Sequence, residues 1–159
     1  GGNINSGGQR NGGTMTAPNS EAVKKCIADA MKDAQITAPE IDAINGHLTA
    51  TIKDPTEIEN WTIALKRKGA DFPYINSLKS MIGHCLAAAG AIESVATVLQ
   101  LKHQFLFPNT NCEDVHPEIA ELIHSSKIPN QKLETKLDTI AKASFGFGDV
   151  NGCIIFRRY

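Results

Sequence analysis

Apolar and polar positions along the chain recur with spacings that predict helices and strands in turn. From about residue 18, apolar residues recur every three to four positions, which is typical of an amphipathic helix, and Asn19 or Ser20 can cap its start. A second helix is predicted over 55–68. A third, over 86–103, is rich in alanine and apolar on most faces, which predicts a helix buried between layers.

Short apolar segments separate these helices and predict strands. Two are expected at 41–45 and 74–78, and two more at 140–145 and 153–156 flank a glycine-rich connection. Alternating helices and strands predict an α/β layered domain. Because functional residues in such domains gather in loops beyond the strand ends, three loops become candidates. They are 46–51, 79–84 and 145–151.

The first 17 residues differ in composition from the rest of the chain. They are rich in glycine, which predicts a flexible N-terminal segment. The remaining residues, 18–159, have the length of one folded domain.

Composition excludes several classes of protein. Sixteen basic and 17 acidic residues argue against a binder of nucleic acid or of anionic membranes. No apolar run is long enough to span a bilayer, and we expect no secretory signal. The four cysteines form no CxxC pair and the histidines lack metal-ligand spacing, so we expect no metal site and reduced thiols in a cytoplasmic protein.

Two histidines follow predicted strands and could act together. His47 comes directly after the strand at 41–45, and His84 closes the loop after the strand at 74–78. If these strands are neighbours, both imidazoles can face one crevice and hydrogen-bond to a reacting carbonyl. Lys79 could hold a carboxylate or tune a histidine, or it could be a solvated surface residue. These residues alone specify no reaction.

Four segments, in order, resemble motifs of one enzyme family. They are NGHLTAT at 45–51, KSMIGH at 79–84, AAGAIE at 88–93 and SFGFGDVN at 144–151. Together they resemble the C-terminal half of the β-ketoacyl-acyl carrier protein synthases, the condensing enzymes of fatty acid and polyketide synthesis. The resemblance implies one half of a thiolase-like fold, with a mixed sheet and helices packed on it, and assigns 18–159 to the family's C-terminal domain.

The resemblance also implies a reaction and roles for named residues. The family catalyses a decarboxylative Claisen condensation of malonyl-acyl carrier protein with an acyl thioester, which makes it an acyltransferase. His47 and His84 would hold the malonyl thioester carbonyl and stabilise the enolate. Lys79 would support them, with Glu93 as its buried polar neighbour, although Glu93 could also be an ordinary polar helix residue.

Five further positions receive roles from the same resemblance. Thr49 and Thr51 would lie along the pantetheine arm. Phe147 would gate the acyl pocket, or it could be a core residue. Gly146 and Gly148 would provide the backbone angles of their loop.

The resemblance also defines what the chain would need from elsewhere. The family's nucleophilic cysteine belongs to the other half of its fold, so this chain is expected to be an inactive fragment when alone. Its expected partners are an N-terminal synthase half and an acyl carrier protein. Phosphopantetheine would arrive on that carrier, and no cofactor would be bound directly. The apolar face that the other half covers predicts self-association.

Three substitutions depart from the family pattern. Leu48 and Asp149 replace glycines, and Val150 replaces a threonine. Asp149 would bring negative charge towards the enolate site unless its side chain points away. These changes are compatible with a divergent synthase, or alternatively with a non-catalytic partner subunit that resembles a chain-length factor.

Overall fold

The computed structural model describes residues 1–8, 16 and 19–159, and a five-stranded mixed sheet lies at its centre. The sheet has the order β1-β7-β6-β2-β3, in which β2 pairs in parallel with β3 and β6, and β7 runs antiparallel to β6 and β1. A separate antiparallel pair is formed by β4 and β5. The strands are β1 (Gly2–Ser6), β2 (Ala43–Asn45), β3 (Tyr74–Asn76), β4 (Phe105–Leu106), β5 (Leu133–Glu134), β6 (Thr139–Gly146) and β7 (Val150–Arg157).

The helices are α1 (Ser20–Asp33), α2 (Asp54–Leu65), α3 (Lys79–Ile82), α4 (Ala89–His103) and α5 (Pro117–Leu122). Helices α1 and α2 pack on one face of the sheet around Trp61 and Phe72, which are fully buried. Helix α4 packs on the opposite face with Leu101 against Ile140. The α/β prediction is therefore confirmed, with helices on both sides of a mixed sheet.

The observed helices differ from the predicted ones mainly at their ends. Asn19 caps α1, as predicted, by accepting hydrogen bonds from the first backbone N–H groups. Helix α2 ends at Leu65, three residues before the predicted end, because Lys66 adopts the left-handed conformation (φ 54°). The predicted loop at 79–84 begins with the one-turn helix α3.

The prediction of flexibility over 1–17 is not met by residues 2–6. These residues form β1, which pairs with the outer edge of β7, and Asn5 donates a side-chain hydrogen bond to the carbonyl of Ala22 on α1. Pairing satisfies a strand edge that would otherwise present unpaired backbone groups, which outweighs the entropy cost of ordering glycine. Residues 9–15, 17 and 18 lie outside the described residues.

Helix α4 shows the largest difference from the sequence prediction. A helix over 86–103, buried between layers, was expected, but α4 starts three residues later, after the 3₁₀ turn Leu86–Ala88, and is covered on one side by the described residues. That side carries Glu93, Thr97 and Gln100, whereas apolar side chains face outwards. The exposed ones are Ile92, Val95, Val98 and Leu99.

Helix α4 turns polar side chains towards the sheet because the sheet residues opposite them are also polar. Asn45 on β2 donates to the Thr97 hydroxyl at 3.2 Å, and Asn76 on β3 donates to the Gln100 side-chain oxygen at 2.7 Å. Polar groups on the sheet thus take the polar side of α4, and its apolar side is left for another surface. None of the described helices has the length and apolar character needed to cross a bilayer.

The exposed apolar side of α4 predicts self-association of the chain. We expect light scattering to show an average mass that rises with protein concentration, and Val95→Asp to suppress that rise because a charge there opposes apolar contact. Ile63→Asp on α2 is the matched control, since Ile63 is similarly exposed (50% against 61%) on the opposite layer. A constant monomer mass for the unmodified chain would contradict the prediction.

Candidate functional site

The two candidate histidines meet beyond the ends of neighbouring strands. Strands β2 and β3 pair in parallel, so the loops that carry His47 and His84 leave the sheet at the same edge. The ring centroids are 5.4 Å apart, and the rings meet edge to face at 79°. The strands are neighbours, as the expectation required, and the two imidazoles are in contact.

The local turn around His84 fixes which ring nitrogen faces outwards. Gly83 has φ 76°, a conformation that favours glycine, and this turns the chain between α3 and α4. The Nδ1 atom of His84 accepts a hydrogen bond from the backbone N–H of Leu86 at 2.9 Å. In the neutral ring the hydrogen therefore sits on Nε2, which is free to donate to a bound group.

His47 lies in a half-buried position that disfavours a positive charge. Burial lowers its pKa to about 4, and the positive charge of Lys79 adds to the effect, followed by His84 and Lys142. Glu93 opposes these influences. The imidazole of His47 is therefore neutral at physiological pH and can act as a hydrogen-bond donor or acceptor.

A buried ionic cluster lies behind the histidines. Glu93 on α4 is 1% exposed, and its two carboxylate oxygens contact different lysines. Lys79 on α3 pairs with Oε1, and Lys142 on β6 pairs with Oε2 at 2.5 Å. The Nζ of Lys142 also donates to the Ser144 hydroxyl, while burial lowers the pKa of this lysine and its hydrogen bond to Glu93 counteracts the shift. Lys79 and Glu93 are thus in contact, as the resemblance implied.

Two carboxylates on α2 hold the backbone of the His47 loop. Glu57 accepts hydrogen bonds from the backbone N–H groups of His47 and Leu48, at 2.8 and 2.9 Å. Asp54 accepts from the N–H groups of the next three residues, at 3.0, 3.0 and 3.4 Å. Five consecutive backbone donors are therefore fixed by side chains from the first turn of one helix. A Cβ at Gly46 would lie 3.0 Å from Glu57 Oε1, which explains the glycine there.

The candidate pantetheine residues lie on this same loop. The hydroxyl oxygens of Thr49 and Thr51 are 3.2 Å apart, and Thr51 is exposed. Thr49, Lys79 and His84 line a cavity of about 330 Å³. Leu48, which replaces the family glycine, lines the same cavity and packs against the core.

The glycine-rich connection between β6 and β7 meets only part of its prediction. Gly148 has φ 74° and needs glycine, but Gly146 has φ −96°, which any residue adopts, so the expected requirement at Gly146 is wrong. Phe147 is 71% exposed, so the reading of Phe147 as core is also wrong. Asp149 is buried and accepts from the backbone N–H of Asn19 at 2.9 Å, so this carboxylate is engaged at the start of α1 and not at the histidines.

Sequence reasoning missed three charged residues of this site. Lys142 had a detectable signal, because a lysine in the middle of the strand sequence TIAKASFG interrupts small and apolar residues. Asp54 and Glu57 fit an ordinary helix start, where acidic residues are favoured by the helix dipole. Their hydrogen bonds to the preceding loop depend on how that loop folds back, which periodicity does not reveal.

Other candidate chemistry in the described chain is limited. All four cysteines are free thiols, and burial raises the pKa of Cys26 to about 11. Cys85 is half-buried in the turn after His84. Within residues 1–8, 16 and 19–159, no three side chains of the metal-binding types are grouped as ligands.

Comparison with known families identifies the domain. The family model described as "Beta-ketoacyl synthase, C-terminal domain" matches residues 1–113, which is more than half of the chain. The chain belongs to this family. The resemblance to the β-ketoacyl synthases recognised in the sequence is thus confirmed.

Individual relatives of this β-ketoacyl synthase domain are longer proteins. The chain is 36% identical to 3-oxoacyl-[acyl-carrier-protein] synthase 2 of Coxiella burnetii over 91% of its own length and 34% of that protein. It is 39% identical to 3-oxoacyl-[acyl-carrier-protein] synthase 1 of Haemophilus influenzae, over 96% of the chain and 36% of that protein. The chain thus spans about a third of the length of these curated relatives.

Solved ketosynthase structures share the fold of this domain. AntDE:AntF, a type II PKS acyl-carrier protein in complex with its ketosynthase bound to the hexaketide, matches with a TM-score of 0.84 at 33% identity. That match covers the whole chain and 38% of the solved chain. The ishigamide ketosynthase/chain length factor matches with a TM-score of 0.86 at 27% identity, over 100% and 37% of the two chains.

The buried position of Glu57 in this β-ketoacyl synthase domain predicts a pH-dependent stability. Burial raises the pKa of Glu57 from 4.5 to about 7, and Asp54 adds to the rise, while the N–H groups of His47 and Leu48 oppose it. A carboxyl whose pKa is raised in the folded state binds more protons there, so its contribution favours folding at low pH and is lost as pH rises from about 4.5 to 7.

The quantity to compare is the free energy of unfolding of the unmodified chain minus that of Glu57→Gln. We expect this difference to fall by about 2 kcal/mol between pH 5 and pH 7. Urea denaturation of both proteins at the two pH values measures it. Glu59→Gln, on the same helix at an exposed position, is the control and should leave the pH dependence unchanged. Parallel pH profiles for the unmodified chain and Glu57→Gln would contradict the prediction.

Proposed function

We propose that this domain supplies the histidine half of a condensing active site, in which malonyl-acyl carrier protein is decarboxylated and joined to an acyl thioester. The observation that carries the proposal is the pair of neighbouring imidazoles, 5.4 Å apart, of which His47 is held neutral and His84 presents Nε2 outwards. Two imidazole N–H donors at this spacing suit one carbonyl oxygen that becomes negatively charged.

In the proposed reaction the malonyl thioester oxygen lies between His47 and His84. The bond between the malonyl α-carbon and its carboxylate breaks, and carbon dioxide leaves. The electron pair of that bond forms an enolate, whose oxygen accepts hydrogen bonds from both rings. The enolate carbon then attacks the acyl thioester, forming the new carbon–carbon bond and releasing the thiolate that carried the acyl group. That acyl group would be held by a cysteine outside this chain.

The remaining candidate residues have supporting positions in this proposal. Thr49 and Thr51 would contact the pantetheine arm of an acyl carrier protein at the cavity mouth, and Phe147 would lie at the acyl side. Lys79, paired with Glu93, supplies positive charge near the enolate. An N-terminal synthase region and an acyl carrier protein are the proposed partners.

The alternative is a non-catalytic partner subunit, and one observation weakens it. Asp149 was a reason to doubt enolate stabilisation, but its carboxylate is occupied at the start of α1. Leu48 remains as a change from the family pattern at the cavity wall.

The condensing enzyme and the non-catalytic partner subunit predict different effects on activity when the histidines are removed. In protein expressed from the complete reading frame that encodes this chain, we expect His47→Ala and His84→Ala each to lower malonyl decarboxylation and condensation by roughly a hundredfold or more, the effect of removing one oxyanion donor. Release of carbon dioxide from malonyl-acyl carrier protein and formation of the β-ketoacyl product are the readouts. His103→Ala, at the exposed end of α4, is the matched control. Unchanged activity of an associated synthase with both variants would favour the partner subunit instead.

A further inference from the structure

Lys142 is a buried lysine that the family motifs did not single out. It lies in the interior of β6, and its side chain is 3% exposed. Its Nζ contacts Glu93 Oε2 at 2.5 Å and the Ser144 hydroxyl. A lysine loses considerable solvation energy in such a position, so its retention there needs a reason beyond packing.

The cluster that contains Lys142 carries an excess of positive charge. Glu93 contributes one negative charge, whereas Lys79 and Lys142 contribute one positive charge each. Glu57 is the next carboxyl that acts on Lys142, and its own raised pKa reduces its negative charge near neutrality. The buried cluster is therefore net positive, and charges interact strongly where water is excluded.

The register of the sheet places Lys142 near the start of the loop that carries His47. Lys142 on β6 pairs with Asn45 on β2, and His47 follows Asn45 by two residues. Paired residues and alternate residues project on the same face of a sheet. Asn45 and Lys142 both reach α4, through Thr97 and Glu93, so the Lys142 side chain lies on the α4 face at the end of β2, two residues before His47.

The Glu57 carboxylate on α2 contacts the backbone N–H of His47, and the other charged groups that act on the imidazole come from α3, α4, β6 and the turn after α3. Lys79 lies on α3, His84 follows α3, Lys142 lies on β6 and Glu93 lies on α4. Three of these disfavour an imidazolium and only Glu93 favours it. With Lys79 alone, the charge of Glu93 would be cancelled and no excess would remain.

We propose that Lys142 is a positioning residue, whose second positive charge on Glu93 adds to burial and Lys79 in disfavouring a positive charge on His47, and favours negative charge on an oxygen held between His47 and His84. The first part concerns the protonation of His47 and stands on the cluster alone. The second part rests on the proposed function, because it requires the enolate.

The first test is a titration of His47 followed by NMR, with the signal assigned through His47→Ala. In Lys142→Met, which removes the charge and keeps the chain length, we expect the pKa of His47 to rise from about 4 towards its ordinary value of 6.5. Lys142→Arg keeps the charge and should retain the low pKa. Lys136→Met is the control, since Lys136 is 80% exposed and pairs with Asp138.

An unchanged pKa of His47 in Lys142→Met would overturn the proposal. Circular dichroism establishes whether each variant folds, and Lys142→Gln, which can still hydrogen-bond to Ser144, is a second neutral variant. If both neutral variants fail to fold while Lys142→Arg folds, the role of Lys142 is structural and the proposal is also overturned.

The second test uses decarboxylation of malonyl-acyl carrier protein by protein from the complete reading frame. We expect Lys142→Met to lower kcat roughly tenfold with little change in KM, and to move the acid limb of the rate profile to higher pH. Lys142→Arg should restore both. A fall in rate without any change in the pH profile would overturn the electrostatic role. If the unmodified protein does not decarboxylate its substrate, the proposed function fails, while the titration still decides the role of Lys142.

Discussion

The carboxylate of Glu93 lies between two lysine ammonium groups in the layer where α4 packs on the sheet. Burial of one unpaired charge in this layer would be strongly unfavourable, so α4, α3 and β6 must come together for any of the three charges to be stable. The neighbouring hydrogen-bonded pairs, Asn45 with Thr97 and Asn76 with Gln100, are also buried, so each of these side chains needs its partner across the layer. Together they fix the position of α4 along the sheet, and hence the turn that carries His84.

The loop that carries His47 is fixed by two carboxylates of α2, which packs on the opposite face of the sheet from α4. Asp54 and Glu57 on α2 take up five consecutive backbone N–H groups, so the loop is held by its main chain and the imidazole is left free. The site thus lies between negative groups that hold the backbone and a net positive cluster that faces the rings. This separation allows a buried carboxyl such as Glu57 to shape the site without placing its charge beside the carbonyl oxygen.

Much of this arrangement could be predicted from the sequence, and the remainder depends on tertiary contacts. The alternation of apolar segments predicted α1, β2, α2, β3, α4, β6 and β7 in the correct order but not β1, α3, β4 or β5. The motifs located His47, His84 and Lys79. Hydrophobic periodicity did not reveal which side of α4 faces the sheet, because four large apolar residues of α4 are exposed while Glu93, Thr97 and Gln100 are buried beside Leu101. Strand β1 was missed because its sequence, GNINS, consists mostly of residues with little strand propensity, and its order comes from pairing with β7.

The exposed apolar side of α4 lies next to the opening of the site. Leu86, 72% exposed, lies between His84 and the first turn of α4, so exposed apolar surface begins at the histidine itself and continues through Val95. A surface that covered α4 would therefore also approach His84 and exclude water from the crevice. Exclusion of water strengthens every charge interaction there, including those of the net positive cluster. The polar layer that orders α4 from within thus leaves the apolar side of α4 exposed beside His84, where any covering surface would strengthen the electrostatic environment of the two imidazoles.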